Sequence, residues 1–441
     1  MKRMSKRNSP STPRKKIHRA VLSLGLAFCL VSTANIPAVF AAAGDKDPLQ
    51  EKFLEAMKKR EAGQYYEAVT LFQNILTDQP KLHRARLELA ATYYRTFNYQ
   101  EAKRQAQIVL DDPQTPENVR ITIAAFLAQI EKEAQGMVAG HTWKPNAGVG
   151  WMYDTNVNVG PASNITIIGT LDPSVTRTGD SAFIAEAGLT HRYQTEKTPQ
   201  ISQKNAQFLW QTNANLYHRD YFDEHAFDLQ IFSIATGPAL VVLGDWRGNL
   251  NLQEEFIRYG SEELAYFTSL MPSMTKHFLN GKVEFTVDAI LAHQDYQRDL
   301  DAGRDGTYGS LQLSLGRVFF DGKFALQAGV RYFDENAEAI RWANSGTGGF
   351  LGSAWRFYDR SNVYGRIYHE DVEYDGAEPV FDVKRDERTS RYTIGLEHTF
   401  NSRGLDQWKI SGEYMRQDTY SNISVYEYDR EQVTVMFSRS F

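Results

Sequence analysis

The chain of 441 residues has one cysteine, Cys29, and the apolar run that holds it, Ala20 to Val31, is short for a membrane-crossing helix. Eight basic residues and no acidic one precede and flank that run (Lys2, Arg3, Lys6, Arg7, Arg14, Lys15, Lys16 and Arg19), and Val39-Phe40-Ala41 follows with small residues at both cleavage-defining positions. These features predict a secretory signal over 1–41. Cleavage there would leave no cysteine, so a chain delivered to an oxidising compartment would owe nothing to disulfides. Positive charge is also scarce beyond this point. The full chain carries 49 basic and 54 acidic residues, and removing 8 basic ones leaves 41 − 54 = −13. A surface of that sign excludes nucleic acid as an expected partner. Tryptophan is sparse (7) beside tyrosine (23) and phenylalanine (25), a balance that suits a β-rich, interfacial protein.

Two regions with different periods follow. Residues 47–137 read as helical with a 34-residue echo, in which "AGQYYEAVTLFQNIL" aligns with "TFNYQEAKRQAQIVL". Gly63, Ala68, Phe72, Ile75 and Pro80 fall where a tetratricopeptide-like repeat needs a tight turn, a small interhelix contact, two core residues and a helix stop. Ala90, Tyr93 and Ala102 repeat the pattern in the next unit. A single helix pair cannot bury its apolar face, so such units stack and leave a concave groove able to hold an extended peptide.

Residues 141–441 alternate with period two. In "KFALQAGVRYF", Phe324, Leu326, Ala328, Val330 and Tyr332 share one face, and Ala325, Gln327, Gly329 and Arg331 the other. Fourteen such segments are expected, beginning near Trp143, Ala182, Ala206, Phe227, Trp246, Leu264, Val283, Thr307, Phe324, Ala343, Val363, Arg388, Trp408 and Glu427. Their length and their polar second face fit strands crossing a bilayer around a wet lumen. Short turns such as "FDGK" alternate with longer connections at 161–181, 297–305, 375–386 and 419–426, a parity that predicts periplasmic chain ends. The connection 195–204 is longer than its side requires. The expected fold is an α + β membrane protein: a short N-terminal tetratricopeptide-like helical domain followed by a 14-stranded antiparallel transmembrane β-barrel. A soluble sandwich or propeller is the alternative.

The stretch "YDTNVNVGP" places Tyr153, Asp154, Asn156, Asn158 and Pro161 at the end of the first strand, and "YSNISVYEYDREQVTVMFSRSF" forms the last hairpin. The latter carries Ser421, Asn422, Tyr426, Tyr428, Asp429 and Arg430 and ends on Phe441, as barrels read by the outer-membrane assembly machinery do. Together these motifs resemble the surface lipoprotein assembly modulators, also called type XI secretion translocons, which join N-terminal tetratricopeptide repeats to a fourteen-strand barrel. The resemblance implies movement of a client protein, a surface lipoprotein or a soluble secreted protein, from periplasm to cell surface. The mixed-sign loop runs "RDLDAGRDG" and "FDVKRDERTSR" read as loop salt bridges or lipopolysaccharide contacts, and a monomer in outer-membrane lipid is expected. By alternation Asp154, Asn156 and Asn158 share the lumenal face, where they pin the first strand to the last, contact the client or gate that seam, or (less well, with one carboxylate) hold calcium.

No catalytic, cofactor or metal group is expected. His293 and Asp295 in "AHQDY", and His369, Glu370 and Asp371 in "YHEDVEY", lack a G-x-S-x-G serine and H-E-x-x-H spacing, and read as solvated rim residues. Exopolysaccharide export is the rival function. An anionic polymer calls for basic lumenal rings, whereas the lumenal candidates mix signs: Arg331 and Arg317 against Glu284, Asp288 and Glu397.

Overall fold

The computed structural model describes residues 48–135 and 140–441 apart from 162, 164, 167–168, 173–174, 196–198, 202–203, 243–244, 280 and 403. The expected signal segment 1–41 lies outside the described residues.

Among the described residues five helices come first: α1 (Pro48–Glu61), α2 (Tyr65–Asp78), α3 (His83–Arg95), α4 (Tyr99–Leu110) and α5 (Glu117–Gln135). Gly63, at φ +78°, makes the turn from α1 to α2, a conformation that glycine reaches without the penalty a Cβ would add. Ala68, Phe72 and Ile75 fall four and three residues apart on α2 and are fully buried. Phe53 meets Phe72 edge-on with ring centroids 5.8 Å apart. Helix α3 buries Leu89, Ala90 and Tyr93 against that face, and α4 buries Ala102, Ala106 and Val109. The alanines let the helices approach, and Phe72 alone contributes about 1.5–3 kcal/mol by leaving water. Pro80 follows the residue that ends α2 and cannot extend it. Polar contacts add to this: Gln73 Nε2 donates to the Tyr93 hydroxyl at 2.7 Å, Arg86 donates to Gln105 at 2.8 Å, and the Asn98 side chain caps α4.

Fourteen long strands follow: β1 (Gly140–Asp154), β2 (Asp180–Gln194), β3 (Lys204–Tyr221), β4 (Leu229–Val242), β5 (Trp246–Tyr259), β6 (Glu262–Phe278) and β7 (Val283–Tyr296). The second half comprises β8 (Gly306–Phe319), β9 (Phe324–Ala337), β10 (Asn344–Tyr358), β11 (Ser361–Glu378), β12 (Val383–Thr399), β13 (Trp408–Ser421) and β14 (Tyr428–Ser440). Each is antiparallel to its neighbours, and β1 pairs with both β2 and β14, so the sheet closes on itself. Closure gives each of the fourteen long strands a neighbour on both sides, the condition for a sheet in lipid. Apolar side chains cover the outside, among them Val149, Trp151, Leu311, Leu313, Val330, Ile394 and Val435, all exposed. Polar groups face inward and bond to one another across strands: Arg331 to Tyr368 and Glu370, Tyr364 to Glu413 at 2.7 Å, Ser273 to Asp288 at 2.6 Å, and Arg391 to Gln417.

Three departures from the sequence reading lie in the strands and their connections, besides the one at Asn156 and Asn158. Arg317 is outward, on the face of Leu313 and Leu315, with its guanidinium 4.8 Å from the Phe319 ring. Its parity with Leu315 determines this. Second, β11 and β12 run into the expected 375–386 loop, leaving only 379–382 between them. Paired backbone continues beyond the apolar belt because polar outward residues are as content in water as in a loop. Third, the long 195–204 connection is partly structured: Gln200–Ile201 pairs with Lys204 and Asn205, extending β3 as a small hairpin.

Candidate functional site

The seam between the first and last strands is the shortest ladder in the barrel. β1 and β14 are matched over nine residue pairs, Asn146↔Ser440 to Asp154↔Gln432. Every other pair of adjoining long strands is matched over twelve to fifteen. Beyond the ladder the Phe441 N–H donates to the Pro145 carbonyl at 2.9 Å, and the Thr155 N–H donates to the Glu431 carbonyl at 3.0 Å.

At its outer end the seam is closed by one buried carboxylate. Asp154 is fully buried and accepts from Arg430 Nε at 3.0 Å to each oxygen, and also from the same residue's terminal nitrogen. Gln432 Nε2 donates at 2.7 Å, the Tyr221 hydroxyl at 3.0 Å and the Asn156 N–H at 3.0 Å. Bidentate geometry and full use of the carboxylate lone pairs are what make a buried ion pair tolerable. Tyr221, itself fully buried, reaches in from β3 and packs with Met152, Val157, Ala182 and Ile184. The sequence reading named Asp154 and Arg430 but not Tyr221 or Gln432.

Asn156 and Asn158 do not continue the lumenal face. β1 ends at Asp154, and the chain folds over on itself through Val159 at φ +52°. Asn156 Nδ2 donates to the carbonyls of Gly160 and Asp429, both at 2.9 Å, while its Oδ1 accepts the Gly160 N–H at 2.8 Å. Asn158 Nδ2 donates to the Thr176 carbonyl at 2.7 Å, and its Oδ1 accepts the Thr178 N–H at 3.1 Å. Gly160 lies so close to the returning segment that a Cβ would stand 2.7 Å from the Thr176 carbonyl carbon. Pro161 is buried beside it, while Tyr153 points outward with Trp151. The amide oxygens are thus spent on backbone N–H groups, which removes them as calcium ligands.

The last hairpin is tied to the barrel in a similar way. The Asn422 side chain accepts from the Asp386 N–H at 2.9 Å and donates to the Lys384 carbonyl at 2.8 Å. Ser421 Oγ accepts the Ile423 N–H at 3.2 Å. Gln417 Nε2 donates to the Tyr428 hydroxyl at 2.6 Å, and Arg177 reaches from the β1–β2 loop to Asp429 at 2.7 Å. The Tyr426 ring stacks on the Arg385 guanidinium at 4.2 Å, with Tyr374 on the same guanidinium at 3.8 Å. Phe441 sits at the other end of β14, exposed, under Arg439. Of the lumenal charges expected from sequence, Arg331, Glu284, Asp288 and Glu397 do face inward. Glu284 bonds to Arg247, and Glu397 accepts from Asn362 at 2.7 Å.

A closed antiparallel barrel, apolar outside and polar inside, preceded by a helical stack, defines an outer-membrane β-barrel protein. A surface lipoprotein assembly modifier of Pasteurella multocida (strain Pm70) is 24% identical over 182 residues, 41% of this chain and 32% of that protein. The matched part is therefore about a third of the relative's length, and the helices-plus-barrel architecture fits that family. No protein-family model matches the chain. Among solved structures, a loop-deletion mutant of the Vibrio cholerae outer membrane protein OmpT aligns with 68% of this chain and 100% of its own (8% identity, TM-score 0.38). The Acinetobacter baumannii outer membrane channel DcaP aligns with 68% and 98% (10% identity, TM-score 0.38). The anion-selective porin of Comamonas acidovorans aligns with 68% and 99% (9% identity, TM-score 0.36).

Proposed function

We propose that this protein is an outer-membrane translocon that moves a client protein, a surface lipoprotein or a soluble secreted protein, from periplasm to cell surface. The observation that carries the reading is the union of a helical repeat stack and a closed barrel in one chain, supported by the similarity to a surface lipoprotein assembly modifier. The helical stack lies in the periplasm and holds an extended segment of the client in its groove. Lys204, at the base of β3, lies 5.9 Å from the Tyr66 ring of α2, which favours the stack standing at the barrel mouth opposite the long β1–β2 loop. The client then passes along the β1–β14 seam. Cross-strand polar networks line the lumen wall, whereas the seam has the fewest paired residues to part. In this reading Asp154 and Arg430 hold the outer end of the seam shut between clients. Tyr153, Asn156, Asn158 and Pro161, with Ser421, Asn422, Tyr426, Tyr428 and Asp429, shape the loops on either side of it. Phe441 serves barrel assembly.

The test is a surface-shaving proteome of the native host with and without the gene, with surface polysaccharide stained in parallel. The expected result is that one or two proteins leave the shaved fraction and accumulate in the periplasm. An unchanged protein profile with loss of a polymer coat would replace the reading with exopolysaccharide export.

A further inference from the structure

Strands β11 and β12 set His369 and Ser390 directly opposite each other. Nδ1 of His369 lies 3.0 Å from Ser390 Oγ, and Nε2 lies 3.5 Å from Asp371 Oδ2. Arg388 Nε, 2.8 Å from Asp371 Oδ1, holds the other carboxylate oxygen. A hydroxyl, an imidazole and a carboxylate thus stand in line on opposite ring nitrogens. Such a constellation is recognised by geometry and not by sequence spacing, so the lack of a G-x-S-x-G turn is no bar. Glu370, between the two, points into the lumen toward Arg331 and takes no part.

The line faces outward. Ile367 is the next outward residue on β11, and Tyr392 and Ile394 are the next on β12, all exposed on the apolar belt. His369 and Ser390 therefore sit at the outer rim of that belt, the depth of headgroups and ester linkages. A groove of about 510 Å³ runs from His369 and Asp371 across β10 and β9 to β8, on the side of His369 away from Ser390, lined by Leu311, Leu313, Val330 and Tyr332. Its floor includes Gly349, the register partner of His369 on β10, whose missing side chain keeps the groove open. Aliphatic walls that lead away from a polar line are the shape an acyl chain fills.

We propose that Ser390, His369 and Asp371 form an outward-facing site that hydrolyses an acyl ester of an outer-leaflet lipid. Ser390 Oγ attacks the ester carbonyl carbon as His369 Nδ1 takes the hydroxyl proton. The ester C–O bond then breaks, and the imidazolium returns the proton to the departing alkoxide, leaving an acyl-serine. Water gives a proton to His369 and attacks the acyl carbon. The bond to Ser390 breaks, the serine regains its proton, and the fatty acid leaves. Asp371 stabilises the imidazolium in both halves, and water is the sole co-reactant. The site departs from the expectation of a non-enzyme and does not rest on the translocon reading.

The full-length protein, folded in detergent micelles, is exposed to a fluorophosphonate probe. It is then mixed with diacyl glycerophospholipid vesicles or with lipopolysaccharide vesicles, and fatty-acid release is followed by mass spectrometry. Wild type is expected to be labelled at Ser390 and to release fatty acid from one vesicle type, which identifies the lipid. Ser390→Ala should abolish labelling, and His369→Gln should slow release by roughly 10²–10⁴-fold. Both variants are scored on the heat-modifiable, folded form, so failure of one to fold leaves the other. An unlabelled wild type, equal labelling of Ser390→Ala, or no release from either vesicle overturns the proposal.

Discussion

The helical stack and the barrel solve opposite burial problems with the same chain. In the stack, Phe72, Ile75, Leu89 and Val109 are inside and the charges are outside. In the barrel, leucines and valines are outside and Asp154, Arg331, Asp288 and Glu397 are inside. The stack is therefore held by apolar packing, which weakens gradually as side chains shrink. The barrel is held by backbone ladders and by polar networks that tolerate no missing partner. The difference teaches that removal of one side chain acts by different physics in each region.

Phe72→Ala should break the comparison most visibly. It empties the centre of a small core at a cost of about 3–5 kcal/mol, a large share of what a domain of this size holds. The helical circular-dichroism signal should melt at much lower temperature while the heat-modifiable gel shift of the barrel is unchanged; a change in both would show that the regions do not stand independently. Asp154→Ala costs a similar 3–5 kcal/mol because it leaves the Arg430 guanidinium buried and unpaired, but it falls on a barrel with far more ladder to lose. Its unfolding midpoint in urea and detergent should drop, and the double variant Asp154→Ala/Arg430→Met should recover most of the loss. A double variant as weak as the single one would mean that the charge pair matters for its shape and not for its electrostatics.

The smallest effect is in pH. Burial, then the nearby Glu101 carboxylate, raises the Tyr93 phenol above its ordinary value. The folded stack thus favours the neutral hydroxyl. That contribution is complete below about pH 10 and is lost as pH climbs through the raised value. An alkaline titration of helical signal should show the loss, and Tyr93→Phe should move it to higher pH.

Much of this architecture is legible locally. The 34-residue echo and the period-two alternation depend on neighbours a few positions apart, and thirteen of the fourteen expected strand starts fall within three residues of those observed, Trp143 against Gly140 and Trp408 against Trp408 among them. Arg317 was equally legible, since its parity with Leu315 is in the sequence. The rest was not local. Nothing around Tyr221 announces that its hydroxyl meets a carboxylate 67 positions away, nor does Gln432 announce its partner 278 positions away. The fate of Asn156 and Asn158 turned on a backbone reversal at Val159 and a close approach at Gly160 that alternation cannot encode. Ser390 escaped notice for the same reason, because only strand pairing brings it to His369.

The partners at the outer end of the seam are 276 positions apart, farther than any pair within a single hairpin. Their meeting belongs to the closure of the first strand on the last, so its entropic cost falls late, after the intervening hairpins have formed. Until then both charges stay in water, and only a barrel of the right strand number and register brings them together. A first or last strand slipped by one residue would leave the two charges unmatched, so the Asp154–Arg430 pair favours the register in which they meet.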